Sequence, residues 1–150
     1  MPRFSTVSVT RLETCHPDLS ILFTEAVKHR DCSILCGVRS QAEQDRLYNL
    51  RHSRVAWPNS KHNVTEPDGL SMAVDVAPWF ADRDPHIIWP SQAQYRQYYA
   101  AECGVYYNFA GYVQSLADRM GIRVRWGGDW DSDGRYSDQT FNDLVHWELL

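Results

Sequence analysis

Three short segments carry residue types that hold metals and move protons: Ser60-Lys61-His62, Ala73-Val74-Asp75 and Asp143-x-x-His146-Trp147-Glu148. Together they offer two imidazoles and a carboxylate as metal ligands, with a further carboxylate near the second imidazole. A zinc site that catalyses hydrolysis uses three protein ligands and leaves one position for water. The metal draws the pKa of that water down toward ~7, and a nearby carboxylate then takes its proton as general base. A lone histidine at a loop end is more often structural or solvated. Asp75 is the more telling residue, because it lies in the middle of an apolar run. A buried carboxylate without partners is costly, so Asp75 requires either a cation or hydrogen-bond donors.

The elements that must position these residues follow from local pattern. Residues 72–78, MAVDVAP, alternate as a strand. Met72, Val74 and Val76 face one side and Ala73, Asp75 and Ala77 the other, a small surface with one charge that resembles the floor of a site. Residues 33–38 read as a short buried strand, and 122–126 and about 144–149 as two more. Residues 17–30 read as a helix with Pro17 in its first turn and apolar spacing at Leu19, Leu22, Phe23, Ala26 and Val27. Ser40-x-x-Glu43 is a capping-box pattern that predicts a helix over about 41–51, carrying Gln44, Leu47 and Tyr48. A long helical stretch over about 92–120 is expected to break near Gly104 and to end at Gly121. The tyrosines of 95–107 read as helix packing. Residues 52–71, 79–90 and 127–139 read as loops. Helices and strands follow one another without regular βαβ alternation, which predicts an α+β fold.

Composition narrows the class. The chain has 150 residues, one domain's worth, and its 43% hydrophobic and 13% aromatic content can repay the entropy of folding. No apolar run approaches the ~20 residues of a membrane span, and MPRFSTVSVT lacks the apolar core of a secretory signal. Residues 127–150 carry six acidic side chains and one basic, more than the whole net charge of −4. A nucleic-acid binder would show a basic stripe instead. Asp129-x-Asp131-x-Asp133-Gly134 resembles the opening of a calcium loop, but the twelfth position is Thr140 where a bidentate Glu is needed, so a solvated acidic turn is expected. Cys15, Cys32, Cys36 and Cys103 read as reduced thiols. Cys32 and Cys36 could form half a zinc site, yet no second cysteine pair completes it, and the expectation is small core residues in or beside a strand.

The chain also resembles the zinc peptidases related to D-Ala-D-Ala carboxypeptidases and dipeptidases, most of all the phage-type L-alanyl-D-glutamate endopeptidases. The matching stretches are Gly37-Val38-Arg39-Ser40 with Gln44 and Leu47-Tyr48, then Ser60-Lys61-His62, then Ala73-Val74-Asp75-Val76-Ala77-Pro78-Trp79, then Arg125-Trp126-Gly127-Gly128-Asp129-Trp130, then Phe141-x-Asp143-x-x-His146-x-Glu148-Leu149. They occur in the family order over roughly residues 33–149. The resemblance implies one catalytic Zn2+ held by His62, Asp75 and His146, with Asp143 as general base. Glu148 is an alternative base, two residues past His146 on the same side of a strand. Arg39 sits where the family places a cation near the substrate carbonyl, suited to an oxyanion. The Trp126–Trp130 segment would be a structural wall or part of the substrate groove. The chain departs from the family's His-x-x-Gly-x-Ala-x-Asp pattern, because extra residues near Val64–Gly69 set His62 and Asp75 further apart. A loop insertion there leaves the ligands free to converge.

The expectation is therefore an α+β fold whose small antiparallel sheet carries the zinc site between flanking helices. Residues 1–150 would form a single catalytic peptidase domain without a separate wall-binding domain, acting as a monomer. The function implied is that of an endolysin, hydrolysing the L-Ala-D-Glu bond of the peptidoglycan stem peptide for host cell lysis. No nucleic acid or membrane partner is expected. The protein would wait in the host cytoplasm and reach the wall from the periplasmic side at lysis. The alternatives are a D-Ala-D-Ala carboxypeptidase and a non-catalytic zinc-containing binding module. The presence of both Asp143 and Arg39 argues against the binding module.

Overall fold

Strand alternation sorts the sheet into an apolar face and a polar one. In the computed structural model, which describes residues 1–89 and 99–150, helices α1 (Thr6–Leu12) and α2 (Pro17–Ala26) precede strand β1 (Cys32–Cys36). Helix α3 (Gln41–Asn49), strand β2 (Ala73–Pro78) and helix α4 (Tyr99–Met120) follow, and strands β3 (Val124–Trp126) and β4 (His146–Leu149) close the chain. The strands form one antiparallel sheet in the order β1-β2-β4-β3. This is the α+β arrangement that the sequence predicts. Among the described residues no helix is long and apolar enough to cross a membrane.

Register assigns the faces. Val74 pairs with Trp147, and Trp147 with Trp126, so these side chains share the core face. They pack with Leu19, Leu22 and Phe23 of α2 and with Tyr106, Phe109, Ala110 and Val113 of α4. Phe23 meets Trp147 edge-on at 5.8 Å, and Tyr107 meets Trp126 at 5.2 Å. The opposite face takes Asp75, which pairs directly with His146, and Glu148, which lies between Ala73 and Arg125. Strand β1 slips by one residue at Leu35, so Ile34 opposes Val76 while Cys36 opposes Asp75. Such a bulge re-aims the strand end, and here it delivers Cys36 and Gly37 to the polar face.

Helix α1 is not evident from periodicity, because it buries only Ser8 and Leu12. Its role is to cover an edge. Strand β1 is the outer strand, and the Ile34 amide donates to Ser8 Oγ (3.1 Å) while Arg11 donates to the Ile34 carbonyl (2.9 Å). Backbone groups of an exposed edge are thereby paired. Helix α2 starts at Pro17 as expected but stops at Ala26, four residues short of the predicted end; residues 28–30 turn through amide bonds to Glu25 and Ala26 carbonyls. Ser40 caps α3 by accepting from the Glu43 amide at 3.3 Å.

Helix α4 runs unbroken through Gly104, contrary to the predicted break, and stops one residue before Gly121. A single helical glycine costs only ~1 kcal/mol relative to alanine, and the packed face from Cys103 to Ala117 outweighs it. The expected helical start near residue 92, with Tyr95 and Tyr98, lies outside the described residues. Tyr106 and Tyr107 do pack inward, and Tyr106 donates to the Ile88 carbonyl (2.6 Å). Among the described residues no disulfide forms; Cys15 and Cys32 are buried, and burial pushes both thiols well up.

Candidate metal centre

Each candidate ligand is delivered by a different piece of backbone. Asp75 lies at the centre of β2 and His146 at the start of β4, directly across from it. His62 comes from the loop between α3 and β2, where its carbonyl accepts from the Arg39 amide (2.9 Å). The extra residues after His62 project outward: residues 65–68 are exposed, and the loop closes at its base where the Met72 amide donates to the Lys61 carbonyl (2.9 Å). The insertion therefore leaves His62 beside the strand that carries Asp75.

The three donor atoms form a small triangle. His62 Nε2 lies 3.1 Å from Asp75 Oδ1 and 3.2 Å from His146 Nδ1, and His146 Nδ1 lies 3.3 Å from Asp75 Oδ1. A tetrahedral ion with bonds of about 2.0–2.1 Å needs donor atoms about 3.3–3.4 Å apart. The edges of the triangle are close to that, and all three side chains are buried. These residues can hold a small divalent ion. Cys36 adds a sulfur within 4.8 Å of ligand atoms on His62 and Asp75, a neighbour that the core reading of this cysteine did not place here.

Both imidazoles are oriented from behind. His62 Nδ1 donates to the Gly37 carbonyl (2.8 Å), leaving Nε2 for the triangle. A Cβ at Gly37 would meet Thr14 Oγ1 at 2.2 Å and the Arg11 carbonyl at 2.4 Å, so only glycine lets this turn press against the end of α1. His146 Nε2 faces Glu148 Oε2 at 3.0 Å, leaving Nδ1 for the triangle. Asp75 is likewise divided: Oδ1 faces the histidines and Oδ2 accepts from Arg39 (3.0 Å). Arg39 is itself fixed by Gln44, which is fully buried and bonds to Arg39, Ser53 and the Val55 carbonyl. The motif glutamine is thus an anchor for the arginine, a role that its polar type in a helix of low apolar content did not reveal.

Asp143 lies in the turn before β4. Its amide donates to the Gly127 carbonyl (2.8 Å) and its carbonyl accepts from the His146 amide (3.0 Å). A Cβ at Gly127 would meet the Asp143 carbonyl at 2.3 Å, so this close approach also demands glycine. Burial, and then the Asp75 charge, push the Asp143 carboxyl up to about 6. Glu148 differs: burial raises its carboxyl, but bonds from His146 and Arg125 outweigh that and hold it down at about 2. Of the two candidate bases, Asp143 therefore has the more basic carboxylate.

Aromatic rings wall one side. Trp126 belongs to the core, whereas Trp130 lies against His146 with ring centroids 5.3 Å apart and stacks on Phe141 at 6.3 Å. Arg54 covers Phe141 at 4.6 Å and donates to the Thr140 carbonyl (2.6 Å), joining the loop after α3 to the loop before β4. Asp129 uses its carboxylate to accept from the Asp133 and Gly134 amides, and Asp131 accepts from Gln139. The acidic loop is thus tied by its own donors.

In the absence of an ion, the ligands neutralise one another. Burial disfavours a charged His62, but the Asp75 charge and hydrogen bond outweigh it and push the imidazole up to about 10. His146 is raised in the same way, and Asp75 is held well below the usual carboxylate range by the two histidines despite its burial. The raised His62 stabilises the metal-free protein fully below its ordinary 6.5 and loses that contribution as pH rises through about 10. The depressed Asp75 contributes above its ordinary 3.8 and loses that contribution in acid. Ligation requires neutral imidazoles, so metal entry must expel protons. Calorimetric titration of zinc in buffers of differing ionisation enthalpy is expected to show net proton release near neutrality and an affinity that rises with pH. Proton-neutral binding would contradict this charge assignment.

The chain belongs to the phage L-alanyl-D-glutamate peptidase family, whose model matches residues 1–150. It is accordingly a peptidase. It is similar to the Serratia marcescens L-Ala D-Glu endopeptidase ChiX, known from a crystal structure, at 26% sequence identity and a TM-score of 0.67, over 99% of this chain and 90% of that one. No curated protein matches the sequence.

Proposed function

We propose that this chain is a zinc-dependent L-alanyl-D-glutamate endopeptidase that cuts the peptidoglycan stem peptide during host cell lysis. The observation that carries the reading is the buried triangle of His62 Nε2, Asp75 Oδ1 and His146 Nδ1, in a chain of this peptidase family. Residues 1–150 act as one catalytic domain, a monomer held in the host cytoplasm until it gains access to the wall. Zinc, when bound, supplies a Lewis acid that brings the pKa of water toward ~7.

The chain's own groups do the rest. Asp143, pushed up to about 6, accepts the proton of the attacking water and returns it to the departing amine nitrogen. Arg39, tethered by Gln44, directs its guanidinium at the oxygen of the scissile carbonyl as charge develops there. Trp130 and Phe141, stacked on one another and against His146, form an apolar wall beside the reacting bond. Arg39→Ala, which also removes the donor to Asp75 Oδ2, is expected to lower turnover on the order of 10²–10³-fold, as for one oxyanion donor, and to cost turnover more than zinc content. Equal kcat in wild type and Arg39→Ala would remove arginine from the chemistry.

A carboxypeptidase would need a cation positioned to hold a terminal carboxylate. Besides Arg39, the matched motifs contain Lys61 and Arg125 as cations; Lys61 donates to the Leu149 carbonyl and lies 3.8 Å from Glu148, and Arg125 is in a close pair with Glu148. Their commitment supports the endopeptidase. Digestion of purified sacculi followed by mass spectrometry tests it. The expected products are stem peptides lacking L-Ala, with L-Ala left on the glycan. Loss of only a terminal D-Ala would favour the carboxypeptidase, and an intact sacculus with zinc-loaded protein would favour a binding module.

A further inference from the structure

Glu148 is a buried carboxylate that the proposed reaction does not use, and all its contacts are accounted for. Oε2 lies 3.0 Å from His146 Nε2. Oε1 accepts from Arg125 Nε (3.0 Å), is paired with a second Arg125 nitrogen, and has Lys61 Nζ 3.8 Å away. His146 presents Nδ1 to Asp75 and His62, so Glu148 lies on the other edge of the ring from the donor triangle. A general base needs an oxygen facing the reacting water. Glu148 has its oxygens committed elsewhere.

We propose that Glu148, clamped by Arg125 and Lys61, is the positioning residue of the metal centre: it takes the outer N–H of His146 and fixes Nδ1 as the nitrogen offered to the ion. The inference rests on the zinc reading above. A carboxylate behind a ligating histidine fixes its tautomer and ring orientation and makes the ligand more basic. The two histidines are then held unequally, His62 by the neutral Gly37 carbonyl and His146 by a charged group. Arg125 strengthens the arrangement from a second direction. It donates to the Trp130 carbonyl (3.2 Å) and its guanidinium lies 5.7 Å from the centre of the Trp130 ring, the same ring that packs on His146. One arginine thus secures both the carboxylate behind His146 and the aromatic face beside it.

The test is zinc affinity of the full chain, measured by competition with a chromophoric chelator, alongside the visible spectrum of the cobalt-substituted protein. Glu148→Gln is expected to weaken zinc binding on the order of 10–100-fold and to shift the cobalt bands, because His146 is no longer held by a charge. Arg125→Gln, at a partly exposed position, is expected to weaken zinc in the same direction and by less. It serves where Glu148→Gln does not fold by circular dichroism. Folded Glu148→Gln with wild-type zinc affinity and cobalt spectrum would overturn the inference alone. Unchanged affinity with lost turnover would make Glu148 the base and overturn it too. A wild-type chain that takes up no zinc would overturn the underlying zinc reading, and this inference with it.

Discussion

Asp143→Ala is expected to keep its fold and its zinc while turnover falls on the order of 10²–10⁴-fold, the usual worth of a general base. The side chain is a sound target because the backbone around it is held independently. The Gly127 carbonyl and the His146 amide fix the turn whatever the side chain is. The carboxyl stands near 6 because burial and the Asp75 charge disfavour its anion. Only the anion accepts a proton, so activity should fall as pH drops through the carboxyl's pKa, which is about 6 in the metal-free protein. A bound cation favours the anion and moves this limb to lower pH. Asp143→Asn, which preserves shape, should match Asp143→Ala in turnover and should lose the limb. Near-normal rates in Asp143→Ala combined with an inactive Glu148→Ala would make Glu148 the general base instead.

His62→Ala and His146→Ala are expected to be more severe still, since each removes a corner of the donor triangle. The wild-type chain should contain about one zinc and each variant essentially none, with activity at background. Metal analysis of the dialysed proteins reads this directly, and full zinc occupancy in the double variant would rule out the assignment. The two should differ in the metal-free state. His62 is 1% exposed and bonds to the Gly37 carbonyl, so its loss leaves that carbonyl with only the weak Cys36 thiol donor and opens a cavity where the turn after β1 meets α1. His146→Ala leaves Glu148 still paired with Arg125. Metal-free His62→Ala should therefore melt lower than metal-free His146→Ala.

Local pattern alone determined much of this molecule. Alternation across residues 72–78 put Asp75 on a small polar face, because strand side chains have a period of two whatever their neighbours. The same period set His146 and Glu148 on one side of β4 and Arg125 on the face away from Trp126. Pro17 and Ser40 marked helix starts because their caps are chemical and local. The ordered motifs from Gly37 to Leu149 pointed to a peptidase family, and the match over residues 1–150 shows it.

Only the tertiary structure decided how those faces meet. Nothing local specifies that Asp75 pairs with His146, or that a slip at Leu35 brings Cys36 and Gly37 to the same site. Register is a property of two strands distant in sequence, and a shift of one residue would send Asp75 into the core. Helix α1 was invisible for a related reason. Its value lies in Ser8 and Arg11 meeting an edge strand 23 to 26 residues away, not in any periodic apolar face. The division of labour between Asp143 and Glu148 was equally beyond spacing. Both flank His146 in sequence, and only the Arg125 and Lys61 side chains, converging from β3 and from the loop before β2, commit Glu148 to the back of the imidazole.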